Sequence, residues 1–92
     1  MTVYVLIKSL FASHHYPQNR TNCKGVYDSI EKAWEAIERD YYSLLKIIEE
    51  TKYTIRGVRI DSYSHELTIE YENFIEDFYF CETFDIIEAE IK

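Results

Sequence analysis

The sequence predicts an α+β fold, an antiparallel β-sheet of about four strands with one long amphipathic helix packed on one face, in the order β-loop-α-β-β-β. Three observations predict it. Between residues 30 and 48 apolar side chains recur at spacings of three and four, the period of a helix that buries one stripe. Residues 2–10, 53–60 and 67–71 are rich in β-branched, aromatic and aliphatic side chains that alternate with polar ones or run together as strands do. The chain has 92 residues with two Gly and one Pro, so few positions interrupt these elements, and a chain of this length forms a single domain, 1–92.

Each element has a local cause. Residues 2–10 are apolar enough for both faces of a central strand. Residues 11–25 show no period and collect Ser13, Pro17, Asn19, Asn22 and Gly25, so they read as a long loop with room for a short strand near its end. Loops of this length are uncommon in compact domains and often carry function. Asp28 reads as a helix N-cap and Glu31 as its capping-box partner. Ile30, Ala33, Trp34, Ile37, Tyr41, Leu44, Leu45 and Ile48 then form the apolar face of a helix over residues 29–50, roughly six turns long, with a break expected near 40–43. On the polar face Glu35 and Arg39 form an i,i+4 pair in the favourable order. Beyond the helix, Tyr53, Ile55, Val58 and Ile60 make a strand with a bulge near Gly57. Residues 61–65 supply turn chemistry, and Leu67, Ile69 and Tyr71 alternate with Glu66, Thr68, Glu70 and Glu72, which gives a hairpin with one apolar and one acidic face. Residues 73–77 connect to a last strand in 78–91, placed beside the first, where adjacent Ile86 and Ile87 suit a bulge or a two-sided strand.

Charge is the most informative feature of the composition. The formal charge is −7. Residues 1–60 hold nine Lys or Arg against seven Asp or Glu, whereas residues 61–92 hold ten acids and one base. An acidic surface of that kind repels a phosphate backbone, so no direct nucleic-acid binding is expected. No apolar run approaches the roughly 20 residues that span a bilayer, and the first residues lack the basic and apolar segments of a leader, so a cytoplasmic protein with free thiols at Cys23 and Cys81 is expected.

Chemistry-bearing motifs are sparse. His14, His15 and Cys23 share the expected loop and His65 or Cys81 could join them, but the paired spacing of structural zinc ligands is missing, so no metal and no cofactor is expected. Two glycines cannot build a phosphate-binding Gly-rich loop. Paired carboxylates two residues apart are present, but no pocket signal accompanies them, so they read as surface rows and the protein as non-enzymatic. Tyr16, Tyr42, Tyr63 and Tyr79 are the tyrosines whose positions suggest exposure, as in protein contacts.

The opening strand and the segment Gly25-Val26-Tyr27-Asp28-Ser29-Ile30-Glu31-Lys32-Ala33-Trp34-Glu35-Ala36-Ile37 resemble small bacteriophage and mobile-element proteins in which a strand feeds a helix through such a segment. The resemblance covers about a quarter of the chain. It implies an inhibitor of host defence of the anti-CRISPR type, acting inside a bacterial cell. The expected function is then occlusion: Glu66, Glu70, Glu72, Asp85, Glu88 and Glu90 occupy the basic nucleic-acid groove of a host defence protein, and Tyr16 and Arg20 add specificity. Two alternatives remain open at this point. Lys8, Arg20, Lys24 and a loop histidine could sequester a signalling nucleotide, or the chain could self-associate through an edge strand as a homo-oligomer.

Overall fold

The computed structural model describes residues 1–13, 18–73 and 78–91. It contains β1 (Thr2–Ser13), β2 (Gln18–Tyr27), α1 (Ile30–Glu50), β3 (Thr54–Asp61), β4 (Glu66–Asn73) and β5 (Phe78–Glu90). The strands form one five-stranded antiparallel sheet in the order β2-β1-β5-β4-β3. The α+β class therefore holds, with five strands in place of four.

The additional strand comes from the segment expected to be a loop. β1 runs on to Ser13, and β2 pairs back along it from Ala12↔Gln18 to Tyr4↔Tyr27. β2 is a sheet edge, and nearly all its described side chains are solvent-exposed. A strand held by backbone pairing and wet on both faces needs no apolar alternation, so its sequence lacks the usual strand period. His14, His15 and Tyr16 lie outside the described residues.

α1 is one unbroken helix through residues 40–43, since Tyr41 and Leu44 keep the apolar stripe in phase across that stretch. Its N-cap is Ser29, one residue later than expected. The Lys32 N–H donates to Ser29 Oγ at 3.2 Å, while Asp28 pairs instead with the Lys32 ammonium at 2.9 Å. At the other end the N–H and hydroxyl of Thr51 both donate to the Ile48 carbonyl. The helix is not long and apolar enough to cross a membrane.

α1 carries the chain from one edge of the sheet to the other. Ala33, Ala36 and Ile37 pack over Leu6, Leu67, Phe84 and Ile86, and further along Leu44 and Ile48 pack over Ile69 and Tyr71. Leu6, Ile37, Ile69 and Phe84 are fully buried. Burial of that kind is worth about 2 kcal/mol per large side chain, so these few residues hold helix to sheet. The hairpins β1–β2 and β3–β4 do not pair with each other. β5 joins them, pairing with β1 from Thr2↔Glu90 to Ser13↔Tyr79 and with β4 from Glu66↔Asp85 to Asn73↔Phe78. First and last strands are thus neighbours, as expected. Ile86 and Ile87 make β5 two-sided without a bulge, because the register runs straight through them while Ile86 is buried under the helix and Ile87 is exposed on the opposite face. The bulge expected in β3 is present, with Arg56 as the extra residue between Ile55 and Gly57.

Candidate protein-binding face

Side chains alternate across a strand, so the register decides which carboxylates share a surface. In β5 the alternate residues Phe80, Glu82, Phe84 and Ile86 point toward α1, and Tyr79, Cys81, Thr83, Asp85 and Ile87 point the other way. In β4 Leu67, Ile69 and Tyr71 face α1, which leaves Glu66, Thr68, Glu70 and Glu72 on the uncovered face. Four of the expected acids are therefore brought together: Glu66 and Asp85 directly opposite one another, with Glu70 and Glu72 following along β4. Asp61, opposite Glu66 on β3, extends the row by one.

The other expected residues are placed elsewhere. Glu88 lies opposite Tyr4, and Tyr4 packs against the core under the helix, so Glu88 belongs to the covered side. Glu90 shares that side, accepts a hydrogen bond from the Thr2 hydroxyl and lies 3.8 Å from the Met1 amino group. Arg20 is opposite Leu10, which is opposite Glu82, and so sits on the helix side of β2, away from the acidic row. Tyr16 lies outside the described residues.

The acidic row is uneven. Glu72 is held by the Arg56 guanidinium at 2.6 Å, which puts the bulge residue to use as a counter-ion. Asp61 accepts the N–H groups of Ser64 and Tyr63, and these bonds, that of Ser64 first, hold its carboxyl below the usual range; Arg59 adds to the effect. Asp85 behaves in the opposite way. Partial burial, and then the negative charge of Glu66, push its carboxyl above the usual range. Like charges directly opposite on neighbouring strands destabilise a sheet, so Glu66 and Asp85 are an electrostatic liability in the isolated chain. Between Asp61, Arg59, Glu66 and Thr68 the surface dips into an open recess of about 320 Å³.

On the same face the β1 and β2 side differs in chemistry. Around β1 it carries the exposed apolar residues Val26 of β2 and Ile87 of β5, and Phe11 of β1 stands edge-to-face with Tyr79 of β5, ring centroids 6.3 Å apart. Hydroxyls of Ser9 and Thr21, and of Thr68 and Thr83, face each other across the strands. Cys23 and Cys81 are free thiols on this face, separated by β1. Among the described residues no three His, Cys, Asp or Glu side chains converge on a metal position.

One polar constellation escaped the sequence reading. Glu82 is 4% exposed under the helix, where Lys8 donates to it at 2.8 Å and the Tyr71 hydroxyl at 2.6 Å. Burial first, then the Glu82 bond, raises the phenol pKa of Tyr71 far above its ordinary value. The Lys8 ammonium also stands 5.3 Å above the Phe84 ring. The signal was present: Glu82 is in phase with Phe80, Phe84 and Ile86, at a position where an unpaired acid would not be tolerated. This pairing commits Lys8, and Lys24 lies 4.0 Å from Asp40, so two of the cations considered for a phosphate ligand already face carboxylates.

Comparison with known proteins returns a family model described as a domain of unknown function, DUF7336, which matches residues 1–76 and so covers β1 through β4. No curated protein and no solved structure matches the chain.

Proposed function

The chain belongs to the DUF7336 family, and since that description carries no activity we propose, from the surface chemistry, a non-enzymatic protein that binds the basic groove of a nucleic-acid-handling partner and blocks it. The binding surface is the uncovered face at β4 and β5, with Glu66, Asp85, Glu70 and Asp61 as its charged row. One observation carries this reading: Glu66 and Asp85 are kept directly opposite each other although their repulsion costs stability. A cationic partner would relieve that repulsion on binding, which converts a cost in the free chain into affinity in the complex. Occlusion of a host defence protein, as the N-terminal resemblance implies, is the specific form proposed. Glu88, Glu90 and Arg20 are left out of this contact surface because the register puts them on the other side.

The test is salt-stepped capture. Tagged protein and its Glu66→Lys/Asp85→Lys variant are incubated with bacterial lysate, eluted by rising salt, and the retained protein is assayed for DNA or RNA binding with and without the chain. The expected result is a nucleic-acid-handling protein that releases as salt rises, loses nucleic acid to the chain, and is not retained by the variant. Equal retention by a folded variant would sink the reading.

A further inference from the structure

On the helix side, α1 and the uncovered edge of the β3–β4 hairpin leave an open notch of about 340 Å³. Trp34, Tyr41 and Tyr42 wall it from the helix, Ile60 and Leu67 floor it from the hairpin, and Glu38 is its one acid among the described residues. The cause is local. Trp34, Glu38, Tyr41 and Tyr42 fall at i, i+4, i+7 and i+8, so they gather on one flank of α1, while the helix covers β4 but leaves Ile60 of β3 63% exposed.

We infer that this notch is a binding site for a guanidinium group, the side chain of an arginine presented by a protein partner. Three features select that occupant. Trp34, Tyr41 and Tyr42 bring three electron-rich rings to the lining, the Tyr41 and Tyr42 centroids 5.9 Å apart, so a flat cation in the notch meets aromatic surface. Among the described residues, Glu38 supplies a carboxylate that carries no ion pair, and no Lys or Arg lines the notch. The apolar floor of Ile60 and Leu67 suits the methylene stem of arginine, which covers apolar surface while its charged head pairs. A lysine ammonium would hold its hydration shell more tightly and would lack the planar stacking, so arginine is favoured over it. A purely apolar occupant would bury Glu38 against nothing that pairs with it. The notch lies across the sheet from Glu66 and Asp85, and the inference does not depend on the acidic face being a contact.

Trp34 is the sole tryptophan of the chain, so its emission reports on this site directly. The experiment titrates the protein with a blocked Gly-Arg-Gly peptide and with the same peptide carrying neutral citrulline in place of arginine. The arginine peptide should change Trp34 emission saturably in the millimolar range, and the citrulline peptide should bind about three- to tenfold more weakly. Tyr42 and Glu38 are both exposed, so Tyr42→Ala and Glu38→Gln should leave the melting temperature close to that of the parent while weakening the arginine peptide by a similar factor. Glu66→Lys/Asp85→Lys should leave this titration within about twofold, which separates failure of the notch from failure of the acidic face. No saturable response to the arginine peptide, equal binding of the citrulline peptide, or unchanged binding in both notch variants would each overturn the inference.

Discussion

Glu82 and Asp85 are three residues apart on β5, yet they belong to different worlds. Glu82 faces α1, is almost completely buried and is satisfied by the Lys8 ammonium and the Tyr71 hydroxyl. Asp85 faces the uncovered side, opposite Glu66, and its carboxyl is pushed up by partial burial and by that neighbour's charge. The strand pleat alone separates them. On the covered face an acid is tolerated only inside a completed set of hydrogen bonds and charges. On the uncovered face Glu72 is paired with Arg56 and Asp61 is held by backbone N–H groups, while the repulsion between Glu66 and Asp85 is left standing. The covered face thus completes its charges internally, whereas the uncovered face leaves Glu66 and Asp85 directly opposed.

The difference between the faces can be broken most forcefully at two consecutive residues. Phe84→Ala empties a fully buried position under the helix and should cost about 3–5 kcal/mol, measured by urea denaturation. Thr83→Ala, next to it on the uncovered face, should cost under about 1 kcal/mol, since it removes one hydroxyl contact, with Thr68 at 3.3 Å. Comparable losses at the two sites would refute the assignment of faces. Next in size is Lys8→Met, which leaves Glu82 buried with the Tyr71 hydroxyl alone. It should destabilise the fold by about 3 kcal/mol, and adding Glu82→Leu should recover much of that loss. A third comparison concerns the helix start. Ser29→Ala should lower stability by about 1 kcal/mol, whereas Asp28→Ala, which removes an exposed pair with Lys32, should have the smaller effect in the same denaturation series.

The smallest expected effect sharpens the contrast in sign. Asp85→Asn removes the repulsion with Glu66 and should stabilise the free chain at neutral pH by up to about 1 kcal/mol. The pH dependence follows from the direction of the shift. A carboxyl whose folded-state pKa is raised disfavours the folded state when both states are ionised, and this penalty fades as pH falls through the folded-state pKa toward the ordinary aspartate value. The stability gap between Asp85→Asn and the parent should therefore narrow on acidification. Asp61, whose carboxyl is held low, contributes in the opposite sense: its stabilisation is present above the ordinary value and is lost as pH falls through its folded-state pKa. Melting curves of the parent, Asp85→Asn and Asp61→Asn from pH 7 to about pH 3 check both signs.

Some of the site was legible in the residues and some was not. The alternation of Leu67, Ile69 and Tyr71 with Glu66, Glu70 and Glu72 correctly announced an acidic strand face, because a strand's period is two whatever its neighbours are. Grouping Glu88 and Glu90 with them required the phase of β5, and that phase is visible only once Phe80, Phe84 and Ile86 are known to lie under the helix. Arg20 is expected to add specificity from a loop, because residues 11–25 show no strand period. Pairing opposite Leu10 ties it to the other side. In the notch, Trp34 and Tyr41 read from the helical spacing as core and Tyr42 as an exposed contact residue, but their convergence with Ile60 is not legible there, because it depends on α1 stopping short of β3.

The sequence by itself determined the elements whose signal is local: the apolar stripe of α1, though not its continuity through residues 40–43, the bulged hairpin of β3 and β4, and the two-sided apolar strands β1 and β5. Each of these follows from periodicity, propensity and turn chemistry within a few residues. Tertiary structure decided the rest. β2 is a strand because β1 offers it backbone partners, β5 is central because it alone can pair with both hairpins, and register assigns Glu82 to the core and Asp85 to the surface. Backbone hydrogen bonding is indifferent to side-chain identity, so an exposed edge strand leaves little trace in its residues. The face on which a charge lies depends on pairings between segments far apart in the chain, which no local window contains.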